Sequence, residues 1–383
     1  MSILAGIDNH EACLRALSGL RLGVVTNHTG MNRDLKPTAV VLGELPGTKV
    51  VRLFSPEHGI WGGAPAGELV NDAVDSATAV EVKSLYGSSH KPSTSDLEDL
   101  DALVFDIQDI GVRYYTYEWT MAECMAAAAR AGRLFFVLDR PNPIGGVCVE
   151  GNLPRKEFSS LVGLYPVAAR HGMTMGELAR YVASEFGVAR DVTVVPLAGW
   201  RRNMWYDDTG LLWVPPSPNS TGLDMALLYS GMCLIEGTDL SEGRGTTQPF
   251  ELFGAPWVDP FEAARELERR HLPGVRFRPT FFTPTASKHA GHLCGGVQVH
   301  ITDRDAVRPF ELGLTILSHV RGYEEFQWRK DDRGYSIDHL AGTDEMRLGM
   351  DAGATPEELL DRWAPGLESF KRSREKYLIY QEE

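Results

Sequence analysis

The chain has 383 residues, of which 43% are hydrophobic and 23% charged, and its formal net charge is −14. That length suits two domains or one large α/β unit, and the composition is that of a folded rather than a disordered protein. The acidic balance is spread without a basic block, which argues against nucleic acid or an anionic membrane surface as the partner.

Residues 1–19 have no basic segment, no continuous apolar run and no small-residue cleavage site, so no signal peptide is expected. No apolar run approaches the roughly 20 residues that a membrane span requires. Cys13, Cys124, Cys148, Cys233 and Cys294 are odd in number and form no CxxC pair. Free thiols and a cytoplasmic location are therefore expected.

Short apolar runs alternate with helical patterns through the first half, which predicts parallel strands joined by crossover helices. Strands are expected at 20–26, 49–54, 102–106, 134–139 and 192–196. Met121, Cys124, Met125 and Ala128 mark one helix by their i, i+3, i+4, i+7 spacing. Thr174 and Glu177 form a capping box ahead of another. Past about residue 228 the pattern changes. Residues 295–302 alternate Val297, Val299 and Ile301 with Gln298, His300 and Thr302, predicting a half-exposed antiparallel strand. Helices are expected after Asp259-Pro260, after Thr355-Pro356, and over Phe310, Leu314 and Leu317. The expected fold is α/β: a Rossmann-like, mostly parallel sheet domain over 1–228, then a smaller α+β domain over 229–383 that completes a cleft.

The polar residues at the strand ends carry the functional signal. The first strand runs into Asn27-His28-Thr29-Gly30 and the second into Ser55-Pro56-Glu57-His58-Gly59. The third ends in Asp106, Asp109, Arg113 and Tyr114, and the fourth in Asp139-Arg140-Pro141-Asn142. Parallel strands present all four clusters on one edge, where open α/β sheets bind ligands. Each residue also has a plain structural use: Asn27 and Thr29 suit a turn, His28 and His58 suit solvated loops, and Asp139-Arg140 suits an ion pair. Glu57 fits such a use least, because a cap at its position favours Asp, Ser or Asn. The second domain opens with a glycine-rich polar run holding Glu236, Glu242 and Arg244, and the proline-locked loop before it offers Asn219.

That run lacks the phosphate-loop lysine and the GxGxxG spacing, so no nucleotide or other cofactor is expected. His289, His292 and Cys294 sit among loop glycines, and no metal is expected there. No GxSxG elbow occurs. Paired carboxylates, arginines and aromatics such as Trp61, Tyr114, Tyr115, Tyr117 and Trp119 suit a sugar, and glycoside hydrolysis ordinarily needs two carboxyl groups.

Residues 23–30 (GVVTNHTG), 54–62 (FSPEHGIWG), 105–117 (FDIQDIGVRYYTY), 139–146 (DRPNPIGG), 215–222 (PPSPNSTG), 236–257 (EGTDLSEGRGTTQPFELFGAPW) and 287–303 (SKHAGHLCGGVQVHITD) together resemble the exo-β-N-acetylmuramidase NamZ (YbbC-like) family, once a domain of unknown function. The resemblance implies a Rossmann-like domain without nucleotide and a cleft against a smaller domain. It implies release of N-acetylmuramic acid from non-reducing ends of peptidoglycan fragments, with Glu57 of the SPEHG motif as the catalytic residue. Asp106 and Asp109 are the candidate second carboxylates. Arg113, Arg140 and Arg244 are the candidates for the lactyl carboxylate of muramic acid. Many members are exported whereas this opening carries no leader, so both the wall and imported muropeptide pieces stay open as substrates. An amidase or esterase acting on the wall, a nucleotide-sugar enzyme, and a non-catalytic amino-sugar binding protein are the alternatives. The sequence sets no oligomeric state.

Overall fold

The computed structural model describes residues 3–382. Its first part holds strands β1 (Arg21–Thr26), β2 (Lys49–Ser55), β3 (Ala73–Val74), β4 (Glu81–Ser84), β5 (Ala102–Asp106), β6 (Leu134–Leu138) and β7 (Thr193–Val195). They form one sheet in the order β3-β4-β2-β1-β5-β6-β7, parallel throughout except where β3 meets β4. The five strands expected from apolar runs are β1, β2, β5, β6 and β7. The short strands β3 and β4 carry no apolar run to announce them.

Period-two alternation sends successive strand residues to opposite faces. In β5, Leu103 and Phe105 join the larger core while Val104 joins a smaller one. Helices α1 (His10–Leu17) and α2 (Thr38–Gly43) cover the smaller core through Cys13, Leu17, Ala39 and Leu42. Helices α3 (Thr116–Arg130) and α4 (Met175–Glu185) cover the other face through Met121, Cys124, Met125, Leu178 and Val182. The α4 capping box forms as its spacing predicts: Glu177 N–H donates to Thr174 Oγ1 at 3.2 Å, and Thr174 N–H donates to Glu177 Oε2 at 3.0 Å. This is a Rossmann-like sheet covered on both faces.

Helix α5 (Leu223–Met232) runs through position 228 into the second part. There β8 (Leu252–Ala255), β9 (Val275–Phe282) and β10 (Cys294–Ile301) form an antiparallel sheet in the order β8-β10-β9. Around it lie α6 (Pro260–Glu268), α7 (Pro309–Val320), α8 (Ser336–Ala341), α9 (Glu345–Asp351) and α10 (Pro356–Arg374), with a small hairpin of β11 (Lys330–Asp331) and β12 (Gly334–Tyr335). The expected half-exposed strand is a correction. As the central strand, β10 is buried from Cys294 to Val299, and its inward polar residue Gln298 accepts from Arg278 Nε at 3.0 Å. Alternation in sequence signalled an amphipathic strand, but a hydrogen-bonded side chain lets the polar face be buried too.

The chain then returns to the first part. Tyr380 OH donates to Asp139 Oδ2 at the end of β6, and Ile379 N–H donates to Glu177 Oε1 at 2.8 Å. All five cysteines are free, with only Cys148 less than fully buried. No helix among the described residues is long and apolar enough to cross a membrane.

Candidate active site

The loop after β2 and the segment after β5 supply one wall of a cavity of about 700 Å³. Glu57, His58, Gly67, Tyr86 and residues Tyr114 to Tyr117 line it from the first part; Tyr229, Glu236, Glu242, Arg244, Phe250, Ser287, Lys288, Arg329 and Arg333 line it from the second. Asn219 joins them from the loop between. The glycine-rich run of the second part thus shares a cavity with Glu57.

Glu57 is 8% exposed. Its Oε1 accepts the Gly67 N–H and its Oε2 accepts the Thr116 hydroxyl, each at 2.8 Å. Gly67 has φ +80°, a conformation that side chains rarely adopt, and so can turn its N–H onto the carboxylate. Tyr86 lies beside Glu57; burial, then the Glu57 charge, pushes its phenol up to about 12. His58 Nδ1 lies 2.7 Å from Ala64 O, and because a carbonyl only accepts, that nitrogen carries the proton. His58, Phe250 and Ser287 all line the cavity at positive φ without being glycine, at 71°, 63° and 66°. Such strain persists only where surrounding contacts fix the backbone, and it clusters at binding sites.

The facing wall is an ionic lattice. Arg244 pairs with Glu236 at 2.6 Å and Glu242 at 3.4 Å, and Lys288 pairs with Glu242 at 2.9 Å. Burial and the neighbouring Glu242 push the Glu236 carboxyl above its usual range, while Arg244 draws it back. Burial disfavours the Arg244 charge, but Glu236, Tyr229 and Glu242 outweigh it and its pKa rises. The Arg244 guanidinium also lies 5.0 Å from the centre of the Phe250 ring. Gly245 brings the run against the loop at 284–288: Thr285 N–H donates to Gly245 O at 2.9 Å, and a Cβ on Gly245 would meet Ala286 N at 2.5 Å.

Of the residues singled out in the sequence, Glu57, His58, Tyr114, Tyr115, Tyr117, Asn219, Glu236, Glu242 and Arg244 line this cavity. The others do not. Asp106 receives Arg140 through both carboxylate oxygens, at 2.9 Å on Oδ2, and also the Thr38 hydroxyl. That buried pair fills the sheet edge between β5 and β6 instead of opening to a ligand. Asn27 Oδ1 accepts Thr29 N–H and Oγ1 at 2.9 and 2.6 Å, the plain turn reading. His28 Nε2 donates to Pro215 O at 2.8 Å, and burial lowers its pKa. Asn142 spans Met173 O and Ile144 N at 2.9 and 3.1 Å. Arg113 is fully buried and donates to Asn152 O, Val167 O, Leu340 O and Ala341 O at 2.6, 3.0, 3.2 and 3.2 Å. It ties the two parts of the chain together. Arg113 and Arg140 are thus bound to protein groups and do not face the cavity. Trp119, also buried, donates to Arg113 O at 2.8 Å, whereas Trp61 is exposed.

Asp109 lies with Glu118 and His171 in the core, the one group among the described residues whose metal-ligating atoms fall within 4.8 Å of one another. Met173 N–H donates to His171 Nδ1 at 3.1 Å, so Nε2 carries the proton toward Glu118 Oε1 at 2.9 Å. Glu118 Oε2 has no donor among the described groups. Burial, then the Glu118 charge, pushes the Asp109 carboxyl up to about 7. A proton on Asp109, with Arg113 acting electrostatically on Glu118, balances the buried charge. His289 and His292 point to the carbonyls of Asp239 and Ala290 at 2.8 and 3.0 Å.

Tyr86, Thr116, Tyr229, Lys288, Arg329 and Arg333 line the cavity without having been singled out. Thr116 sits inside the aromatic run after β5, where a hydroxyl among tyrosines was the available signal. Arg333 follows two aspartates and precedes a glycine, a hairpin turn in sequence that says nothing of which cleft it faces.

Residues 22–224 match the family model described as exo-beta-N-acetylmuramidase NamZ, N-terminal, and residues 227–380 the corresponding C-terminal model. The chain is 45% identical over 368 residues, 96% of its length and 88% of the relative's, to the peptidoglycan beta-N-acetylmuramidase NamZ of Bacillus subtilis strain 168. Two crystal structures of DUF1343 family proteins from Bacteroides fragilis are similar throughout. One has TM-score 0.91 at 35% identity, covering 99% of both chains; the other has 0.81 at 32%, covering 100% of both. With both family models matched in order along nearly the whole chain, this protein belongs to the exo-β-N-acetylmuramidase NamZ family.

Proposed function

We propose that the protein is an exo-acting glycoside hydrolase that removes N-acetylmuramic acid from non-reducing ends of peptidoglycan fragments, with Glu57 as general acid. The observation that carries this is Glu57 itself: a carboxyl held by Gly67 and Thr116, facing a carboxylate–arginine lattice across a sugar-sized cavity. The similarity to the Bacillus subtilis enzyme supports the substrate class.

In this reading the acidic proton sits on Oε2. The Gly67 N–H can only donate, so Oε1 stays an acceptor, whereas the Thr116 hydroxyl can turn to accept. Asp106 and Asp109 are tied up elsewhere. Glu236 and Glu242 are ion-paired, which suits them to hold sugar hydroxyls or the acetamide N–H more than to attack carbon. We therefore assign that attack to the substrate's own 2-acetamido oxygen, one of the routes open to such enzymes. The domains of this proposal are 1–228 and 229–383, with the cleft between them. The free thiols support a cytoplasmic place, with imported muropeptide pieces as substrate.

The deciding assay sets chromogenic N-acetylmuramic acid and N-acetylglucosamine glycosides side by side. Turnover of the first, well above the second, is expected; activity confined to amide or ester substrates would replace the glycosidase reading with a different hydrolase.

A further inference from the structure

Among the described residues Arg244, Lys288, Arg329 and Arg333 are the Lys and Arg side chains that line the cavity, and the first two are already matched. Arg244 and Lys288 are ion-paired to Glu236 and Glu242. Arg329 and Arg333 are not matched in this way. Arg329 is held by its backbone: its N–H donates to Gly237 O at 2.9 Å and its carbonyl accepts Ser336 N–H at 3.0 Å. That fixes its Cα beside the Glu236 segment, while its guanidinium makes no ion pair or hydrogen bond among the described residues. Among the described residues the Arg333 side chain pairs only with Asp331 of its own hairpin, at 3.1 Å and 80% exposed. Exposed pairs of this kind contribute little and give way to a better acceptor. Arg333 also lies near enough to act electrostatically on Tyr86, which sits beside Glu57 on the opposite wall.

We infer that Arg329 and Arg333 form a subsite for a carboxylate of the substrate, and that this subsite separates N-acetylmuramic acid from N-acetylglucosamine. The two sugars differ by the lactyl ether, whose carboxylate is the group that one guanidinium without an ion pair and one held only by an exposed aspartate would recognise. The identity of the substrate rests on the glycosidase reading; the existence of an anion subsite does not. In a muropeptide the lactyl carboxyl is tied up in the amide bond to the peptide and the free carboxylate lies on the peptide instead, so the test separates the two sources.

The experiment measures calorimetric binding to the full chain and to Arg329→Gln, Arg333→Gln and the double variant. The probes are N-acetylmuramic acid, N-acetylglucosamine, N-acetylmuramoyl-L-alanine and its methyl ester. A charge-assisted contact of this type is worth about 10- to 100-fold in affinity. The double variant is expected to lose that factor on N-acetylmuramic acid and nothing on N-acetylglucosamine or the methyl ester, neither of which has a free carboxylate. Loss on the free-acid peptide alone assigns the subsite to the peptide carboxylate and overturns its role in separating the two sugars. Equal loss on charged and uncharged probes, or no loss on any, overturns the inference, as does a wild-type protein that binds neither sugar. A wild-type protein that cleaves no glycoside would refute the glycosidase reading, yet the binding series would still decide the subsite.

Discussion

Glu57 is useful only if its proton reaches the leaving oxygen, and its surroundings say how a variant should behave. Replacement by glutamine keeps an acceptor for Gly67 N–H and a polar group for Thr116, so binding should survive. General-acid assistance contributes roughly 10²–10⁴-fold, and Glu57→Gln should lose turnover by about that factor on glycosides with poor leaving groups. A 2,4-dinitrophenyl glycoside, whose leaving group departs unprotonated, should recover most of it. Equal slowness on both substrates would move the acid role to another residue. Asp109 makes the opposite kind of prediction. Its carboxyl is raised to about 7 by burial and Glu118, above the roughly 3.9 of an unfolded aspartate. Between those values the folded protein holds more proton than the unfolded one, so stability falls as pH rises. The contribution is complete below about pH 4 and lost as pH passes 7, with an upper bound on the order of 4 kcal/mol. Asp109→Asn has no proton to lose. Urea unfolding at pH 5 and pH 8 should show a smaller pH difference in the variant, and an unchanged difference would remove Asp109 from the buried proton balance.

At the scale of elements, the loop at 215–222 shows how residues near the strand ends build a site by fixing a neighbouring loop. His28, Tyr115 and Tyr117 reach it from the loop after β1, the segment after β5 and the first turn of α3, bonding to Pro215 O, Ser220 Oγ and Pro216 O at 2.8, 2.7 and 2.6 Å. The loop so fixed presents Asn219 to the cavity. This is also where the sequence was legible and where it stopped. Apolar runs, the Thr174 box and the polar strand ends identify the elements and the sheet edge, because each is a local pattern. Whether Asp106 meets a ligand or Arg140 depends on a contact between residues 34 positions apart, and no local pattern encodes it. Arg329 and Arg333 were missed for the same reason: the hairpin turn is local, its facing partner is not. The lattice opposite Glu57 gives a test at this scale. Arg244 bridges Glu236 and Glu242 with a planar fork that lysine lacks. Arg244→Lys should keep the fold, judged by an unchanged melting temperature within a few degrees, and lower kcat/KM by about 10-fold or more. Unimpaired kinetics would make the lattice a structural feature only.

At the scale of the molecule, the two parts share apolar packing. One continuous core takes in Phe105 and Met125 of the first part together with Phe253, Phe310 and Leu359 of the second. The polar counterpart is Arg113, whose guanidinium serves carbonyls at 152 and 167 on one side and at 340 and 341 on the other. The C-terminal residues then cross back through Tyr380 to the end of β6. Parts joined in these three ways should not melt separately, even though chains of this size often unfold in stages. Calorimetry should therefore give one transition. Arg113→Met keeps much of the side-chain volume but strands buried carbonyls on both sides, each costing about 1–3 kcal/mol when left without a donor. The expected result is a melting temperature lower by several degrees, with the transition still single because the apolar core remains continuous. Two resolved transitions in the unaltered protein would show that the shared core does not couple the parts. A split appearing only in Arg113→Met would show that this one arginine, rather than the core, carries the coupling.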